Sequence, residues 1–325
     1  MHQVWQGFRL SAGIIVLSCL GMADAAAQAY PAKPIRVIVG FDPGGGVDFV
    51  ARLVARRLAD SLGQAVVVEN RAGAGGAIAT ELVVKSPADG YTLHMLSSSN
   101  TTLPALRKLP FDTERDLAPV SMVATGASLL AVHPSVPAQN VRELIALARS
   151  RPGKLTYGSG GLGTAPHLTG ILFTQMAKLD ILHVPFKASA QSAIATASGE
   201  IDVGFFSVPA AQSLLAAGKI RALATLGAKR IVSMPSLPTL HESGVSGFDY
   251  ETWHGMATPA AVPKDIIAQL NALIVREINT SEVRSTFSKL GLEPRTSTAE
   301  EFASRIRSDL ELNARLIKLS GVKVE

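Results

Sequence analysis

The chain has 325 residues, of which 47% are hydrophobic and 18% charged, a composition that suits a folded α/β protein with two cores and excludes a disordered tail or a coiled coil. The net charge of +5 is spread along the chain and aromatic residues make up only 5%. Without a Lys/Arg block interleaved with stacking rings, nucleic acid is excluded as a partner, and the modest positive balance helps to draw in small anions.

At the start, Arg9 precedes an apolar run from Leu10 to about Ala23, and small residues end in Ala27-Gln28-Ala29. This is the pattern of a secretory signal with an A-x-A cleavage site, so the expected mature chain begins at Tyr30, is soluble and exported to the periplasm. The apolar run is shorter than the ~20 residues of a membrane span, and no later stretch is a second candidate. Cys19, the one cysteine, lies inside this leader. The mature chain therefore has no disulfide, thiolate nucleophile or cysteine metal ligand. Val16-Leu17-Ser18-Cys19 is a poor lipoprotein cleavage box, and no lipid is expected.

From Tyr30 the order is strand, glycine loop, helix. Ile35–Val39 reads as a strand, Phe41-Asp42-Pro43-Gly44-Gly45-Gly46-Val47-Asp48 as the loop, and Val47, Val50, Val54, Leu58 and Leu62 mark a helix that stops at Gly63. Three glycines where a strand meets a helix N-terminus leave room for a ligand against the main chain, and the first-turn N–H groups favour negative charge. A plain strand-to-helix turn is the alternative. Ala65–Glu69 reads as a second strand, Ala77 to Lys85 as a helix after the Arg71–Gly76 turn, and Tyr91–Leu96 as a third strand. Strands alternating with helices imply a largely parallel sheet, whose ligands gather at the strand C-termini, where Ser97 and Ser98 follow the third strand. A segment punctuated by Pro104, Pro110 and Pro119 leads to a strand at Leu129–Val132.

Asn140-Val141-Arg142-Glu143 has capping-box spacing and starts a helix to about Ser150. Then the opening pattern returns: strand Leu155–Tyr157, loop Gly158-Ser159-Gly160-Gly161-Leu162-Gly163-Thr164, and a helix carrying Leu168, Leu172 and Met176. Strands Ile181–Phe186, Ile201–Phe206 and Ile220–Thr225 with helices at Ala190–Ser198 and Ala210–Ala217 complete a second α/β unit. Past Tyr250, Glu251–Met256 reads as a return strand, followed by helices from Lys264 to about Ile278, Glu282 to Leu290 and Ala299 to Leu319 that pack back on the first unit.

Gly158-x-Gly160-x-x-Gly163 formally matches the dinucleotide fingerprint, but Asp180 precedes the next strand instead of ending it, so the acid that would hold a ribose is missing. Ser159 and Ser207 lack the G-x-S-x-G elbow, and there is no phosphate loop and no H-E-x-x-H zinc pair. No cofactor, no metal and no catalytic residue is expected. His94, His133, His183 and His254 fall in or beside strands, where a satisfied structural imidazole is the expected role. His167, in the first turn after the second glycine loop, stands close to any bound anion. Asp48 has two readings: it caps free N–H groups at the helix start, or it meets a donor on the ligand. Lys187 either counters an anion or is solvated.

Tyr30–Val39, Pro43–Asp48, Val68-Glu69-Asn70-Arg71, Pro87–Leu93, Gly158–Thr164 with His167-Leu168, and His183-Val184-Pro185-Phe186-Lys187 together resemble the Bug family of periplasmic solute receptors, associated with tripartite tricarboxylate transport. The likeness covers essentially the whole mature chain. It implies a two-domain, type II Venus-flytrap α/β fold, each domain a mostly parallel sheet flanked by helices, with domain 1 at 30–128 plus 251–325 and domain 2 at 129–250. It also implies a non-enzymatic, monomeric receptor that closes on a small carboxylate. Its two loops would grip the ligand largely through main-chain groups and bridging waters. Phe41–Asp48 and Gly158–Thr164 would be those loops, with Ser97, Ser98, His167, Lys187 and Ser207 beside them. The partners would be membrane subunits of such a transporter, or a sensor kinase. Asp42, Val47 and Ala188 depart from the usual pattern of small apolar, Thr/Ser/Ala and Gly, which weakens citrate as a guess. A neutral or zwitterionic ligand and a periplasmic enzyme using the same cleft stand as the other readings.

Overall fold

The computed structural model describes residues 30–44, 46–186, 189–289 and 291–321. The leader, Gly45 and Lys187 lie outside the described residues.

In chain order the first lobe begins with β1 (Ile35–Val39), α1 (Gly46–Leu62), β2 (Val66–Asn70), α2 (Ala77–Val84), β3 (Thr92–Ser97), the short α3 (Ser99–Thr102) and β4 (Leu117–Gly126). The second lobe holds β5 (Ser128–Val132), α4 (Val141–Ser150), β6 (Thr156–Ser159), α5 (Ala165–Ala177), β7 (Leu182–Pro185), α6 (Ser189–Ser198), β8 (Val203–Ser207), α7 (Val208–Ala216) and β9 (Arg221–Thr225). The chain returns to the first lobe through β10 (Thr252–Pro259), α8 (Lys264–Ile278), α9 (Ser281–Ser288), β11 (Leu292–Pro294) and α10 (Ala299–Ser320).

These elements follow from local sequence. On α1, Val50, Val54 and Leu58 are buried with Ala51 and Ala55, and Gly63, at φ 63°, ends the helix by returning its N–H to Ala59. Asn140 caps α4 by accepting from the Glu143 N–H at 3.0 Å, and α10 opens with a full capping box between Thr298 and Glu301.

The first sheet has the order β11-β4-β10-β3-β1-β2 and the second β7-β6-β8-β5-β9. Both are mixed. Four strands of the first sheet run one way while β10 and β11 oppose them, and in the second β5 opposes the other four. The reversals of β5 and β10 arise where the chain changes lobes, because a strand that enters from the neighbouring lobe runs against those that point towards it, whereas β11 follows α9 within the first lobe and pairs antiparallel with β4. The ten-residue strand β4, between β11 and β10, is a departure from the proline-punctuated connection that the sequence suggests. Pro119 pairs with Ala257 beside a register shift in β10, a place where a missing backbone donor is tolerated.

The register also decides which ends face the junction. Gly126, the last residue of β4, pairs with Thr252, and Ser128, the first of β5, pairs with Ser207. The C-terminal ends of β1 and β3 therefore emerge on the side of the first sheet next to the crossover, as do those of β6 and β8 in the second. Both glycine loops are delivered to the region between the lobes. The core lies in layers on each face of each sheet, and α10 belongs to both lobes: Phe302 and Ile306 pack in the first, Leu316 and Ile317 in the second.

Candidate functional site

The first loop is held from behind. Asp48 is buried, and its Oδ2 accepts from the Gly44 N–H and from Arg52 Nε, both at 2.9 Å. Its Oδ1 accepts from Asn70 Nδ2 at 2.8 Å, and the same amide also donates to the Phe41 carbonyl at 3.0 Å. Burial pushes the carboxyl pKa up, but Arg52, the Gly44 N–H and Asn70 outweigh it and hold the group below its ordinary value. Both oxygens are thus engaged inside the protein, which fits the capping reading of Asp48. Phe41 and Val47 are partly buried against the first-lobe core, Gly44 takes φ 83°, and a side chain added at Gly44 or Gly46 would meet open space. Asp42 is exposed. Asn70 and Arg52 are contributors for which the sequence offered no role, although Asn70 lies in one of the family-like segments.

At the end of β3, Ser97 is buried and its Oγ lies 2.6 Å from Ser99 Oγ, while Ser98 is half-buried at the start of α3. Behind them runs a closed polar chain. His94 Nδ1 donates to the Ile38 carbonyl at 3.0 Å, its Nε2 lies 3.0 Å from Thr80 Oγ1, and Asn100 links Thr80 to the Ser97 N–H. Since a carbonyl can only accept, His94 is the neutral Nδ1–H tautomer, and burial pushes its pKa down to about 4. It is a structural imidazole, as expected.

The second loop consumes several of its own groups. Gly161 N–H donates to Ser159 Oγ at 3.1 Å, Thr164 Oγ1 donates to the Gly161 carbonyl at 2.7 Å, and Gly163 N–H donates to His167 Nδ1 at 3.0 Å. His167 is buried beneath the loop, its ring 4.3 Å from that of His183. Ser159 Oγ lies 2.7 Å from His183 Nε2. That spacing suits a nucleophile and base, but Ser159 is fully buried and its oxygen is occupied by the Gly161 N–H. The pair ties loop to strand. Gly163 takes φ 77°, and a Cβ there would stand 2.6 Å from Leu106 Cδ1, so the loop tip touches the segment that follows β3 of the other lobe.

A cavity of about 320 Å³ opens at this edge of the second lobe. Gly160 lines it together with the first turn of α5 (Ala165, Pro166), the first turn of α6 (Ser189, Ser192) and the start of α7 (Ser207, Ala210). Ser207 sits at the N-cap of α7 without bonding that helix through its side chain. Phe205, Phe206, Leu226 and Tyr250 supply apolar walls, and Ser128, Thr169 and Thr252 further hydroxyls. None of these lining residues is acidic or basic. Three helix N-termini therefore turn their positive ends on one neutral, partly apolar space. Of the residues singled out in the sequence, Gly160 and Ser207 line this cavity, whereas Phe41–Asp48, Ser97 and Ser98 stand at the facing edge of the other sheet. The α6 turn, Tyr250 and Thr252 were not foreseen, since only the folded sheet brings them to Gly160. Among the described residues no group of three or more His, Cys, Asp or Glu is placed to hold a metal, and no helix is long and apolar enough to cross a membrane.

The family model of the tripartite tricarboxylate transporter family receptor matches residues 50–322. The chain belongs to this family. Among curated relatives, the protein BugT of Bordetella pertussis is 34% identical over 96% of this chain and 97% of its own length. Rpa4515 of R. palustris, solved with adipate, is 33% identical with a TM-score of 0.72 over 89% of this chain and 98% of that one. A TctC solute-binding protein from Polaromonas, solved with no ligand, is 26% identical with a TM-score of 0.81 over 89% and 99%. The fold is that of a two-domain periplasmic solute-binding receptor of the Bug type, and the chain is a solute-binding protein by family.

Proposed function

We propose that this receptor captures a small organic carboxylate between its lobes and presents it to the membrane subunits of a tripartite tricarboxylate transporter. The observation that carries the reading is the neutral cavity onto which the N-termini of α5, α6 and α7 converge. Partial positive charge from three helix ends, hydroxyl donors and the absence of a carboxylate among the described lining residues favour an anion, and the apolar walls favour an organic one. The first loop, with the N-terminus of α1, would close over the ligand from the other lobe, bringing Gly44, Gly45 and Gly46 to it. Lys187 and Ser98 would stand at the rim. Adipate bound to a relative 33% identical supports the same ligand class here. The neutral or zwitterionic alternative leaned on Asp48, whose oxygens already have three donors.

Among the described residues of the first loop, none of 41–44 or 46–48 lines the cavity, so closure would bring that loop to the ligand. The same proposal takes residues 30–128 with 251–325 as one domain and 129–250 as the other, with Tyr30 as the mature N-terminus after export.

Calorimetric titration with adipate, malate, benzoate, glutamate and glutaramide tests the ligand class. At least one carboxylate is expected to bind and raise the melting temperature; ligand at 100 times its Kd adds about 2.7 kcal/mol. Binding of the amide alone would overturn the reading.

A further inference from the structure

His167 was expected at the ligand, yet it lies beneath the second loop and holds it. Its Nδ1 accepts the Gly163 N–H at 3.0 Å, which makes it the neutral Nε2–H tautomer. The side chain is buried, its ring tilted at 4.3 Å against His183, which in turn stacks at 4.9 Å on Tyr157 and meets Ser159 Oγ at 2.7 Å. The two histidines thus fasten both ends of the glycine loop, one at Ser159 and one at Gly163. From these contacts we infer that His167 is the positioning residue of the second loop and that its protonation releases the loop and with it the ligand. This rests on the proposed carboxylate site.

The chemistry is one-directional. Nδ1 has a single lone pair, and once protonated it becomes a donor facing the Gly163 N–H, so the bond cannot survive. Among the described residues, the groups around the ring offer a cation no partner. β7 presents the His183 imidazole, β6 the Tyr157 ring, and the first two turns of α5 carry no charged residue. The α10 residues in the same core are Leu312, Leu316 and Ile317, and over Gly163 lies Leu106, flanked by the cation Arg107. Burial and the neighbouring His183 accordingly push the His167 pKa down to about 4. The loop is therefore held at neutral pH and let go in acid.

The full mature chain serves for the test, with His167→Asn and His167→Leu. Asn can place its Oδ1 where Nδ1 stands and does not titrate. With His167 ionising near 4, wild type is expected to lose about twofold more adipate affinity than His167→Asn by pH 4 and about tenfold more by pH 3. His167→Asn should keep near-normal affinity at pH 7 and lose on acidification only what protonation of the adipate carboxylates removes, and His167→Leu should bind weakly throughout. An Asn variant with the wild-type acid loss would overturn the inference. Independently of any ligand, the Gly163 amide resonance in ¹H–¹⁵N spectra should shift with the same midpoint as the His167 ring. A Gly163 amide that ignores the His167 titration would overturn it even if adipate binds, and a coupled amide would support it even if adipate does not.

Discussion

Replacing Asp48 by Asn separates a carboxylate that shapes the first loop from one that faces the ligand, because the two roles predict opposite signs. The native group accepts three hydrogen bonds, and an amide in its place turns one oxygen into a donor that must face Gly44 N–H and Arg52, or Asn70 Nδ2. The Arg52 side chain is 52% exposed, so its loss counts for less than about 1 kcal/mol. Gly44 is an exposed residue, so its N–H can turn to water. The Asn70 contact is partly buried, and opposing donors there cost about 1–3 kcal/mol. A total near 2 kcal/mol is expected, divided between folding stability and the ordering of the loop on binding. If the loop loosens in the free protein, adipate affinity falls by about 10- to 30-fold, since 1.4 kcal/mol is tenfold. Titration calorimetry and urea denaturation at pH 7.5 read the two parts. A carboxylate aimed at the ligand would instead repel an anion, and Asp48→Asn would then bind adipate more tightly. Tighter binding by this variant would refute the positioning role.

Asp42, exposed on the same loop, gives the contrast: Asp42→Asn should leave urea stability within about 0.5 kcal/mol and leave adipate affinity equal or improved, read by the same two methods. Gly163→Val should lose about 1–3 kcal/mol in urea and abolish binding, from a strained φ of 77° and collision with Leu106; unchanged affinity would show the loop to be a mere turn. Gly170→Ala should destabilise despite the better helix propensity of Ala, because its Cβ would collide with the buried Tyr157 ring; a rise in melting temperature would contradict that packing. His94, His167 and His254 are each pushed down to about 4 by burial. The unfolded chain binds more protons between about pH 6.5 and 4, so stability should fall as pH drops through that window. The loss is up to about 3 kcal/mol for a fully buried ring such as His94, and flat urea midpoints from pH 7 to 4.5 would refute it.

Much of the architecture was legible from periodicity and caps. Ile35–Val39 and Lys264–Ile278 have the boundaries expected of them, and Asn140 caps its helix as its spacing to Glu143 announced. β4 was not legible, because Pro119 reads locally as a strand breaker and only the bulge in a strand more than 130 residues later accommodates it. β11 is three residues long and owes its pairing to β4, not to its own sequence. At the site, glycine loops and helix starts were visible one by one, but their convergence was not: sheet order puts the turns of α5, α6 and α7 around one cavity. The direction of the Asp48 carboxylate is likewise set by Asn70 on β2, a contact that no local pattern encodes. His167 shows the limit most plainly. Its place in a first turn was readable, whereas whether an imidazole looks outward at a ligand or inward at a loop amide depends on the depth of the helix against β6 and β7.

The arrangement of crossings constrains how the lobes can move. Two connections, at 126–128 and 226–251, pass between the sheets side by side, and α10 forms a third, seating Phe302 and Ile306 in one core and Leu316 and Ile317 in the other. Those α10 side chains are almost fully buried at both ends, and separating either group from its core would expose apolar surface at about 25 cal/mol per Å². A motion that opened and closed the cleft by detaching α10 would thus be opposed by several large side chains, whereas rotation about a line near the three crossings leaves both seatings intact. Displacement then grows with distance from that line. The ends of β1 and β6 carry their glycine loops out from the crossing strands β4 and β5 by one or more intervening strands, so a rotation about that line displaces both loops. This explains why each loop is braced internally, by Asp48 and Asn70 on one side and by His167 and His183 on the other. A loop that must meet a ligand after a long swing contributes most if it arrives already shaped.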